Sequence, residues 1–254
     1  IGDWSSDVCS SDLAKGIPYV ANVQGLGTAF EKPVLSNVVS VMYRSALRKA
    51  GTVFFENEEN AQFFLHKNII SAQQMKVLPG AGINLDEYPY VPMKDDGVCS
   101  FLFVGRIMKE KGVDEFFAAA KTIKAEFGEK VAFDVVGFYE DAYKETVDQL
   151  VADSVIKFHG FQTDVHPFYE AADCVVLPSY HEGMSNVLLE AAASGRPLIT
   201  SDISGCREAA EDGVSGYLCP AKDADALYEA MRRFVELPES WRGELGRRGR
   251  ERME

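Results

Sequence analysis

The chain has 254 residues, of which 46% are hydrophobic and 26% are charged, so it can form one large globular domain or two small ones. Its formal net charge of -13 at pH 7 argues against a nucleic-acid partner, which usually requires a basic surface. No apolar run reaches the length of a membrane-spanning helix.

The cysteines and histidines do not have the spacing of metal ligands. None of the five cysteines forms a C-x-x-C pair, and three of them lie in apolar, strand-like runs where a reduced thiol packs as a small hydrophobe. Asp223-Ala-Asp225 opens a predicted helix after Pro220, so we interpret Asp223 as a helix cap rather than as a metal ligand. We therefore expect no metal site, and we expect a reducing, cytoplasmic location.

The first residues of the chain do not look like part of a fold. Residues 3–13 are polar and without hydrophobic periodicity, and they resemble one reading frame of a sequencing-library adapter. We treat residues 1–13 as a non-native segment. Residues 18–23 predict a buried strand, and Gly25-Leu-Gly27 follows it. A dinucleotide-binding site is not predicted there, because Phe30 replaces the third glycine and residues 32–55 contain no acid.

Residues 34–50 have the pattern of an amphipathic helix that ends before Gly51. Arg44, Arg48 and Lys49 gather at its end. One interpretation is compensation of the helix dipole. The other is peripheral contact with an anionic lipid headgroup or a lipid-linked acceptor at the inner face of the membrane. The apolar stripe of this helix consists of Val34, Leu35, Val38, Val39, Met42, Ala46 and Leu47.

Strand and helix patterns alternate regularly after residue 97. Before that point the sequence predicts a strand at 52–55, a helix at 58–66 and a strand at 75–78. After it, strands are predicted at 98–104, 131–136, 155–158 and 174–177, and helices at 112–127, 140–152, 164–172 and 186–194. Further segments at 198–200, 205–210, 216–219 and 223–235 complete the series. This alternation predicts an α/β fold with a doubly wound, mostly parallel sheet and ligand sites at the carboxyl ends of strands.

The loop at residues 105–112 reads GRIMKEKG and follows the first of these later strands. Glycine at both ends lets the backbone approach a ligand, beginning with Gly105. Arg106 and Lys111 place two cations at the carboxyl end of a strand, where anions bind in such folds. Taken alone, this motif is only slightly more specific than an ordinary charged loop.

The segment 174–197, CVVLPSYHEGMSNVLLEAAASGRP, predicts a strand, a loop and a helix that is apolar around its whole circumference. Glu190 is the only charge on this helix, and no basic residue lies within a turn of it. A buried carboxylate needs partners, which the hydroxyls of a ribose would supply, while the amides at 184–187 would suit a phosphate. The alternative is a core helix whose Glu190 turns to solvent or pairs with a distant arginine.

Glu182 precedes Glu190 by eight residues, so the pair spells E-x7-E. Gly183 follows the first glutamate, and Gly195 and Pro197 follow the second. Together with GR-x4-KG, this spacing resembles the donor-binding motifs of retaining GT-B glycosyltransferases, in particular glycosyltransferase family 4 members that build bacterial surface polysaccharides. The resemblance covers residues 14–254.

The resemblance implies a GT-B fold. Residues 97–254 would be a doubly wound, Rossmann-like domain that binds a nucleotide-sugar donor. Residues 14–85 would be the remnant of a second Rossmann-like domain on the acceptor side, and residues 86–96 the linker. Because members of the family extend further in both directions, the chain is expected to be truncated at both ends.

The resemblance also assigns roles to individual residues. Arg106 and Lys111 would stabilise the leaving diphosphate, Glu182 would orient the donor sugar, and Glu190 would hold the ribose. No metal or other cofactor would be required. The other donor-binding positions would be Gly105, Gly183, Met184, Ser185, Asn186 and Val187, with Gly160 and Phe161 framing the base.

The implied function is transfer of a sugar from a nucleotide diphosphate sugar, expected to be UDP-linked, to a lipid-linked or saccharide acceptor with retention of configuration. Without most of the acceptor half, the chain itself is expected to bind the donor and transfer nothing. Two alternatives remain open at this point: a sugar-nucleotide epimerase of the same architecture, and a non-catalytic fragment that binds nucleotide sugars.

Overall fold

The computed structural model describes residues 17–26, 30, 33–78, 82–94 and 96–254. The adapter-like segment 1–13 lies outside the described residues. Internal contacts divide the chain into two compact units, residues 1–81 and 82–254. This division groups the segment expected to be the linker, residues 86–96, with the second unit, while the domain boundaries expected from the sequence stay predictions.

The first unit contains a parallel sheet of three strands in the order β1-β2-β3. In the core of this unit, Phe55 on the central strand packs edge-to-face on Phe64, with 5.1 Å between ring centroids. The elements of the unit are β1 Val20–Val23, helix α1 Pro33–Leu47, β2 Thr52–Phe55, helix α2 Glu58–His66 and β3 Met75–Val77.

Helix α1 forms where the sequence predicts it, but most of its apolar stripe points away from the core. Ser36 and Ser40 lie on the buried side, and the Ser40 hydroxyl donates a hydrogen bond of 2.6 Å to the Ser36 carbonyl. Leu47 is the only member of the predicted stripe that is fully buried among the described side chains of this helix.

The second unit contains a parallel sheet of six strands in the order β6-β5-β4-β7-β8-β9. All four residues of β7 are buried, because helices cover the sheet on both faces. The strands are β4 Cys99–Val104, β5 Val131–Val136, β6 Lys157–Phe158, β7 Cys174–Leu177, β8 Leu198–Ser201 and β9 Gly216–Cys219.

The helices of this unit are α3 Val113–Phe127, α4 Lys144–Ala152, α5 His166–Ala171, α6 Asn186–Ala193, α7 Ala224–Glu236 and α8 Glu239–Met253. Helix α3 packs on α7, and α6 packs on α8. The segment at 205–210 forms turns rather than a regular element.

Helix α8 was not predicted, because its composition is strongly polar and contains three glycines that weaken helix propensity. Packing explains its presence. Gly246 and Gly249 are buried, and a Cβ atom at Gly246 would lie 2.1 Å from the Gly195 carbonyl oxygen. Glycines there let α8 approach the end of α6 at backbone distance.

The direction of strand order reverses between β4 and β7. From β4 the chain builds outwards through β5 and β6, and it then returns to add β7, β8 and β9 on the other side. In parallel α/β sheets a ligand binds at such a switch point, outside the carboxyl ends of the strands. The loops that follow β4 and β7 are therefore the place to look for a site.

In the part of the chain that the structure describes, no helix is both long enough and apolar enough to cross a membrane.

Candidate functional site

The loops after β4 and β7 pack directly against each other at the switch point. Gly112 ends the first loop with φ of 69°, and a Cβ atom there would lie 2.0 Å from the Pro178 carbonyl oxygen. The Tyr180 amide donates to the Glu110 carbonyl at 2.8 Å. Only glycine permits both the left-handed conformation and this close approach, so Gly112 fixes the position of Lys111 beside the second loop.

Lys111 and Glu182 form an ion pair across these two loops. Lys111 Nζ lies 2.6 Å from Glu182 Oε1, and the Ser179 hydroxyl donates to the same oxygen at 2.7 Å. The Glu182 side chain is 11% exposed and the Lys111 side chain 25% exposed. The structure thus brings together the cation predicted to hold a phosphate and the carboxylate predicted to orient a sugar.

Arg106 lies in the first loop next to Gly105, and its side chain is exposed to solvent. Among the described residues, no hydrogen bond or ion pair engages its guanidinium group. An uncompensated cation at the carboxyl end of β4 attracts an anion to this edge of the sheet.

The start of helix α6 also offers hydrogen-bond donors. The Ser185 amide donates to the Gly205 carbonyl at 3.1 Å, so it is already used by the protein. The amides of Met184, Asn186 and Val187 have no partner within the described parts of the chain. Free amides at a helix start carry partial positive charge and bind phosphate oxygens.

A turn after β8 supports the Glu182 loop from behind. At Gly205 φ is 89°, and a Cβ atom there would lie 2.5 Å from the Gly183 carbonyl oxygen. The Glu208 carboxylate accepts hydrogen bonds from the Gly205 amide at 2.6 Å and from the Ser204 hydroxyl at 3.1 Å. Glu208 therefore fixes the turn on which Glu182 and Gly183 rest.

Glu190 lies on α6 and has partners within the protein, which the sequence did not reveal. The buried Tyr169 hydroxyl donates to Glu190 Oε2 at 2.8 Å. Burial, together with the negative charge of the nearby Glu190 carboxylate, raises the pKa of Tyr88 to about 12. Burial and the same carboxylate also raise the pKa of Tyr169. Glu190 is half-buried and pairs with a tyrosine, and no arginine contacts it among the described residues. Its predicted contact with a ribose stays a prediction.

The tyrosines extend this cluster towards the start of α5. The Tyr88 ring stacks on His166, with 4.5 Å between centroids and 24° between planes. His166 Nδ1 lies 2.7 Å from Asp164 Oδ1, and this hydrogen bond is the main reason that the pKa of His166 is raised. A carboxylate has room for about four hydrogen bonds, so Glu190 retains acceptor capacity after Tyr169 has donated.

Gly160 and Phe161 follow β6 on the same edge of the sheet. The Gly160 carbonyl accepts from the Gly137 amide at 2.9 Å, which ties the loops after β5 and β6 together. Phe161 and Phe138 are both exposed, and their ring centroids lie 6.4 Å apart. Two exposed aromatic rings side by side form a surface on which a flat heterocycle can stack.

The structure tests the interpretation of Asp223 and shows the surroundings of the cysteines, whereas the expectation that the protein has no metal site stays a prediction. Among the described residues, no group of three His, Cys, Asp or Glu side chains could hold a metal ion. Asp223 caps α7, because its side chain accepts from the Ala226 amide at 2.9 Å, and the structural interpretation of that residue is confirmed. The free cysteines in the described parts of the chain, Cys99, Cys174, Cys206 and Cys219, are all buried.

Sequence reasoning missed the residues that position the predicted ones. Ser179 stands three residues before Glu182, a spacing that could have suggested a contact. Tyr88, Tyr169 and Glu208 gave no such signal, because each acts on a residue far away in sequence or on a backbone turn.

A family model described as glycosyl transferases group 1 matches residues 99–236, which is more than half of the chain. The chain belongs to this family. The match includes both loops of the switch point and the whole of helix α6.

Relatives and solved structures of glycosyltransferases resemble the chain over most of its length. An N,N'-diacetylbacillosaminyl-diphospho-undecaprenol alpha-1,3-N-acetylgalactosaminyltransferase of Campylobacter jejuni is 27% identical over 238 residues, covering 87% of this chain and 62% of that protein. The chain thus spans less than two thirds of the length of this relative.

Two solved structures share the fold. Sucrose-phosphate synthase from Thermosynechococcus elongatus superimposes with a TM-score of 0.79 at 24% identity, covering 96% of this chain and 65% of that chain. Anabaena HepE in complex with UDP and glucose gives a TM-score of 0.78 at 18% identity, covering 96% and 69%. The predicted α/β fold of the GT-B type is confirmed.

Proposed function

We propose that this protein is a glycosyltransferase that transfers a sugar from a nucleotide diphosphate sugar to a lipid-linked or saccharide acceptor, with retention of configuration. The observation that carries the proposal is the meeting of Lys111, Glu182 and the free amides of α6 at the β4–β7 switch point. We place the donor site at this edge of the sheet, which lies within the residues that match the glycosyl transferases group 1.

The leaving diphosphate is held by two cations of the first loop and by amides at the start of α6. Arg106 and Lys111 supply two cations, and the amides of Met184, Asn186 and Val187 supply three hydrogen-bond donors. Negative charge on the diphosphate grows as the bond to the sugar breaks. Donors fixed in advance around that charge stabilise the transition state more than the bound donor. On this proposal no metal ion is needed for the chemistry.

Glu182 exchanges partners when the donor binds. Lys111 turns from the carboxylate to a phosphate oxygen, and the carboxylate accepts hydrogen bonds from the hydroxyls of the donor sugar. Ser179 keeps Glu182 in place during this exchange, because it donates to the same oxygen. Glu208 and Gly205 support the loop from the other side.

Glu190 holds the ribose, and Tyr169 orients its carboxylate. The contact from Tyr169 fixes one oxygen, so the remaining acceptor positions are directed before the ligand arrives. The base lies against Gly160 and the exposed rings of Phe161 and Phe138. We expect a UDP-linked donor, since Anabaena HepE, which shares the fold, has been crystallised with UDP.

The acceptor is proposed from the relatives. The name of the Campylobacter enzyme describes a diphospho-undecaprenol acceptor, and a Staphylococcus aureus relative is named for capsular polysaccharide biosynthesis. A lipid-linked acceptor brings the protein to a membrane surface at the cytoplasmic face. Of the predicted lipid contacts, Arg48 and Lys49 are exposed, whereas Arg44 donates to the carbonyls of Lys67 and Asn68 and is already engaged.

The donor site is tested with the purified 254-residue chain, by titration calorimetry with UDP and with UDP-glucose in buffer that contains EDTA. We expect weak, saturable binding of both, which Arg106→Ala and Lys111→Ala each reduce about tenfold. No binding of any nucleoside diphosphate, or binding that requires added metal, would contradict the proposal.

The reaction is tested with labelled donor and the full-length protein. Transfer to a polyprenyl diphosphate saccharide or to a free saccharide supports a glycosyltransferase. Formation of a rearranged sugar without any acceptor would instead identify an epimerase of the same fold. Donor binding without either reaction would identify a binding module.

A further inference from the structure

Tyr180 lies two residues before Glu182 in the loop after β7, and only 8% of its surface is exposed. Its hydroxyl donates to the Glu115 carboxylate and lies 2.8 and 2.9 Å from the two oxygens. Glu115 lies in the first turn of α3, the helix that begins directly after Lys111 and Gly112. The side chain of Tyr180 therefore joins the loop that carries Glu182 to the helix that follows the loop of Lys111.

The rest of Tyr180 is fixed as well. Its backbone amide donates to the Glu110 carbonyl at 2.8 Å, so the main chain of the loop is held next to the start of α3. A third segment covers the ring, because Lys222 Nζ lies 4.8 Å from the ring centroid. Hydrogen bonds to a carboxylate are stronger than those between neutral groups, so the contact with Glu115 is the strongest of these restraints.

The contact between Tyr180 and Glu115 differs from the ion pair between Lys111 and Glu182 in one respect. The ion pair opens when a donor binds, because the proposed function gives each of its two members a partner on the ligand. Tyr180 and Glu115 have no such partner, and the amino end of α3 favours the charged form of Glu115. Their hydrogen bond therefore persists in the bound state.

We infer that Tyr180 and Glu115 are positioning residues for the donor sugar. Their hydrogen bond keeps the loop of Glu182 in place after Lys111 has left the carboxylate for a phosphate oxygen. Glu182 then meets the sugar hydroxyls in a fixed position, and less binding energy is spent on ordering the loop. The inference rests on the proposed function and deepens it, since it names the residues that set the orientation of the sugar without touching it.

The test is the preference for a UDP-sugar over UDP, measured by titration calorimetry with the purified 254-residue chain. UDP-glucose, UDP-galactose and UDP-N-acetylglucosamine are titrated into the wild type, and the tightest binder is then used with every variant. Tyr180→Phe should weaken binding of that UDP-sugar about fivefold and change the affinity for UDP less than about twofold. UDP is little affected because it has no donor sugar for Glu182 to hold. Glu115→Leu should have the same effect.

Three further variants separate positioning from stability. Glu115→Gln retains an oxygen that accepts from the Tyr180 hydroxyl, so it should restore most of the preference that Glu115→Leu loses. Tyr180→Phe combined with Glu115→Leu should weaken binding no more than either change alone, because both remove the same bond. Tyr143→Phe is the matched control, since the Tyr143 hydroxyl donates to Asp114 Oδ1 at 3.1 Å in the same turn of α3 but lies outside both loops. It should leave the preference unchanged.

Urea unfolding of each variant shows whether the fold is intact. Loss of the preference in Glu182→Ala but not in Tyr180→Phe would overturn this inference alone. Additive losses in the double variant would overturn it too, and so would an equal loss in Tyr143→Phe. A chain that binds neither UDP nor a UDP-sugar would contradict the proposed function. A preference that survives Glu182→Ala would remove Glu182 from the sugar site, and the inference would fall with it.

Discussion

Lys111 Nζ lies 2.6 Å from Glu182 Oε1 across two loops that are 71 residues apart in sequence. The pair joins the ends of neighbouring parallel strands, β4 and β7, at the point where the sheet reverses its order. In the ligand-free protein the two groups neutralise each other. Binding of a diphosphate to Lys111 has to break this ion pair. A substitution that removes the pair should therefore raise the affinity for the nucleotide.

Glu182→Gln should bind free UDP more tightly than the wild type, by roughly three- to tenfold. The substitution removes a negative charge next to the diphosphate site and releases Lys111 from its partner. With UDP-glucose the gain should be smaller, because the variant also loses a charged acceptor for the sugar hydroxyls. Titration calorimetry with both ligands measures the two effects.

Glu126→Gln is the control for net charge. Glu126 pairs with Arg232 and Tyr228 on the α3–α7 surface, away from the switch point. It should leave the affinity for UDP unchanged. Equal tightening by both substitutions would show that overall charge, rather than the Lys111 pair, governs the affinity.

Glu190→Ala should abolish the preference for ribose over deoxyribose. A charge-assisted hydrogen bond to the 2'-hydroxyl contributes ~1.5–3 kcal/mol, so wild-type protein should bind UDP at least tenfold more tightly than 2'-deoxy-UDP. The variant should bind both nucleotides equally and weakly. Competition titration with the two nucleotides checks this.

Tyr169→Phe separates orientation of the carboxylate from contact with the ribose. It removes the hydrogen bond to Glu190 Oε2 and should lower the free energy of unfolding by ~1 kcal/mol. It retains the carboxylate, so discrimination against 2'-deoxy-UDP should persist. If the Glu190→Ala variant still bound UDP at least tenfold more tightly than 2'-deoxy-UDP, Glu190 would not be the residue that contacts the ribose.

Gly205→Ala should destabilise the protein more than Gly213→Ala and should also weaken UDP binding. Both glycines have left-handed φ values, 89° and 70°, so alanine costs ~1–2 kcal/mol at either position. Only at Gly205 would the new Cβ meet the backbone of Glu182 and Gly183, which adds ~1–3 kcal/mol. Urea unfolding and UDP titration measure the difference, and equal effects at the two positions would mean that the turn does not support the site.

The buried thiols should resist alkylation at pH 8 in the native protein. Burial raises the pKa of Cys99, Cys206 and Cys219 from its ordinary value near 9 to about 12. At pH 8 the thiolate fraction of such a group is roughly 10⁻⁴, against ~0.1 for an exposed cysteine. Peptide mapping after iodoacetamide treatment should show these residues unlabelled in buffer and labelled in urea.

The same pKa shifts determine the direction of a change in stability. Each thiol ionises more readily in the unfolded chain than in the native one, so the stabilisation is complete below pH 9. It is lost as the pH rises from about 9 towards 12. The free energy of unfolding should fall over that window, and should fall less in a Cys206→Ala variant.

Local sequence was sufficient for most elements of the second unit. The helix at 186–194 begins after Ser185 and ends at Gly195 and Pro197, and α6 in the structure is Asn186–Ala193. Glycine and proline act on their own backbone, and hydrophobic periodicity acts within one element, so both can be recognised in the chain itself. Helix α8 was missed because packing of Gly246 and Gly249 on α6 outweighs its poor propensity.

The sequence by itself determined which residues are chemically suited to a nucleotide sugar: two cations in one loop, a glutamate in another and a glutamate on an apolar helix. Only the tertiary structure decided their neighbours. The pairing of β4 with β7 places Lys111 against Glu182, and Tyr169 and Tyr88 reach Glu190 from other segments. In α1 the periodicity predicted an apolar stripe, but in the structure the buried side of the helix carries Ser36 and Ser40. Strand order and helix orientation depend on contacts between distant segments, and no local pattern encodes them.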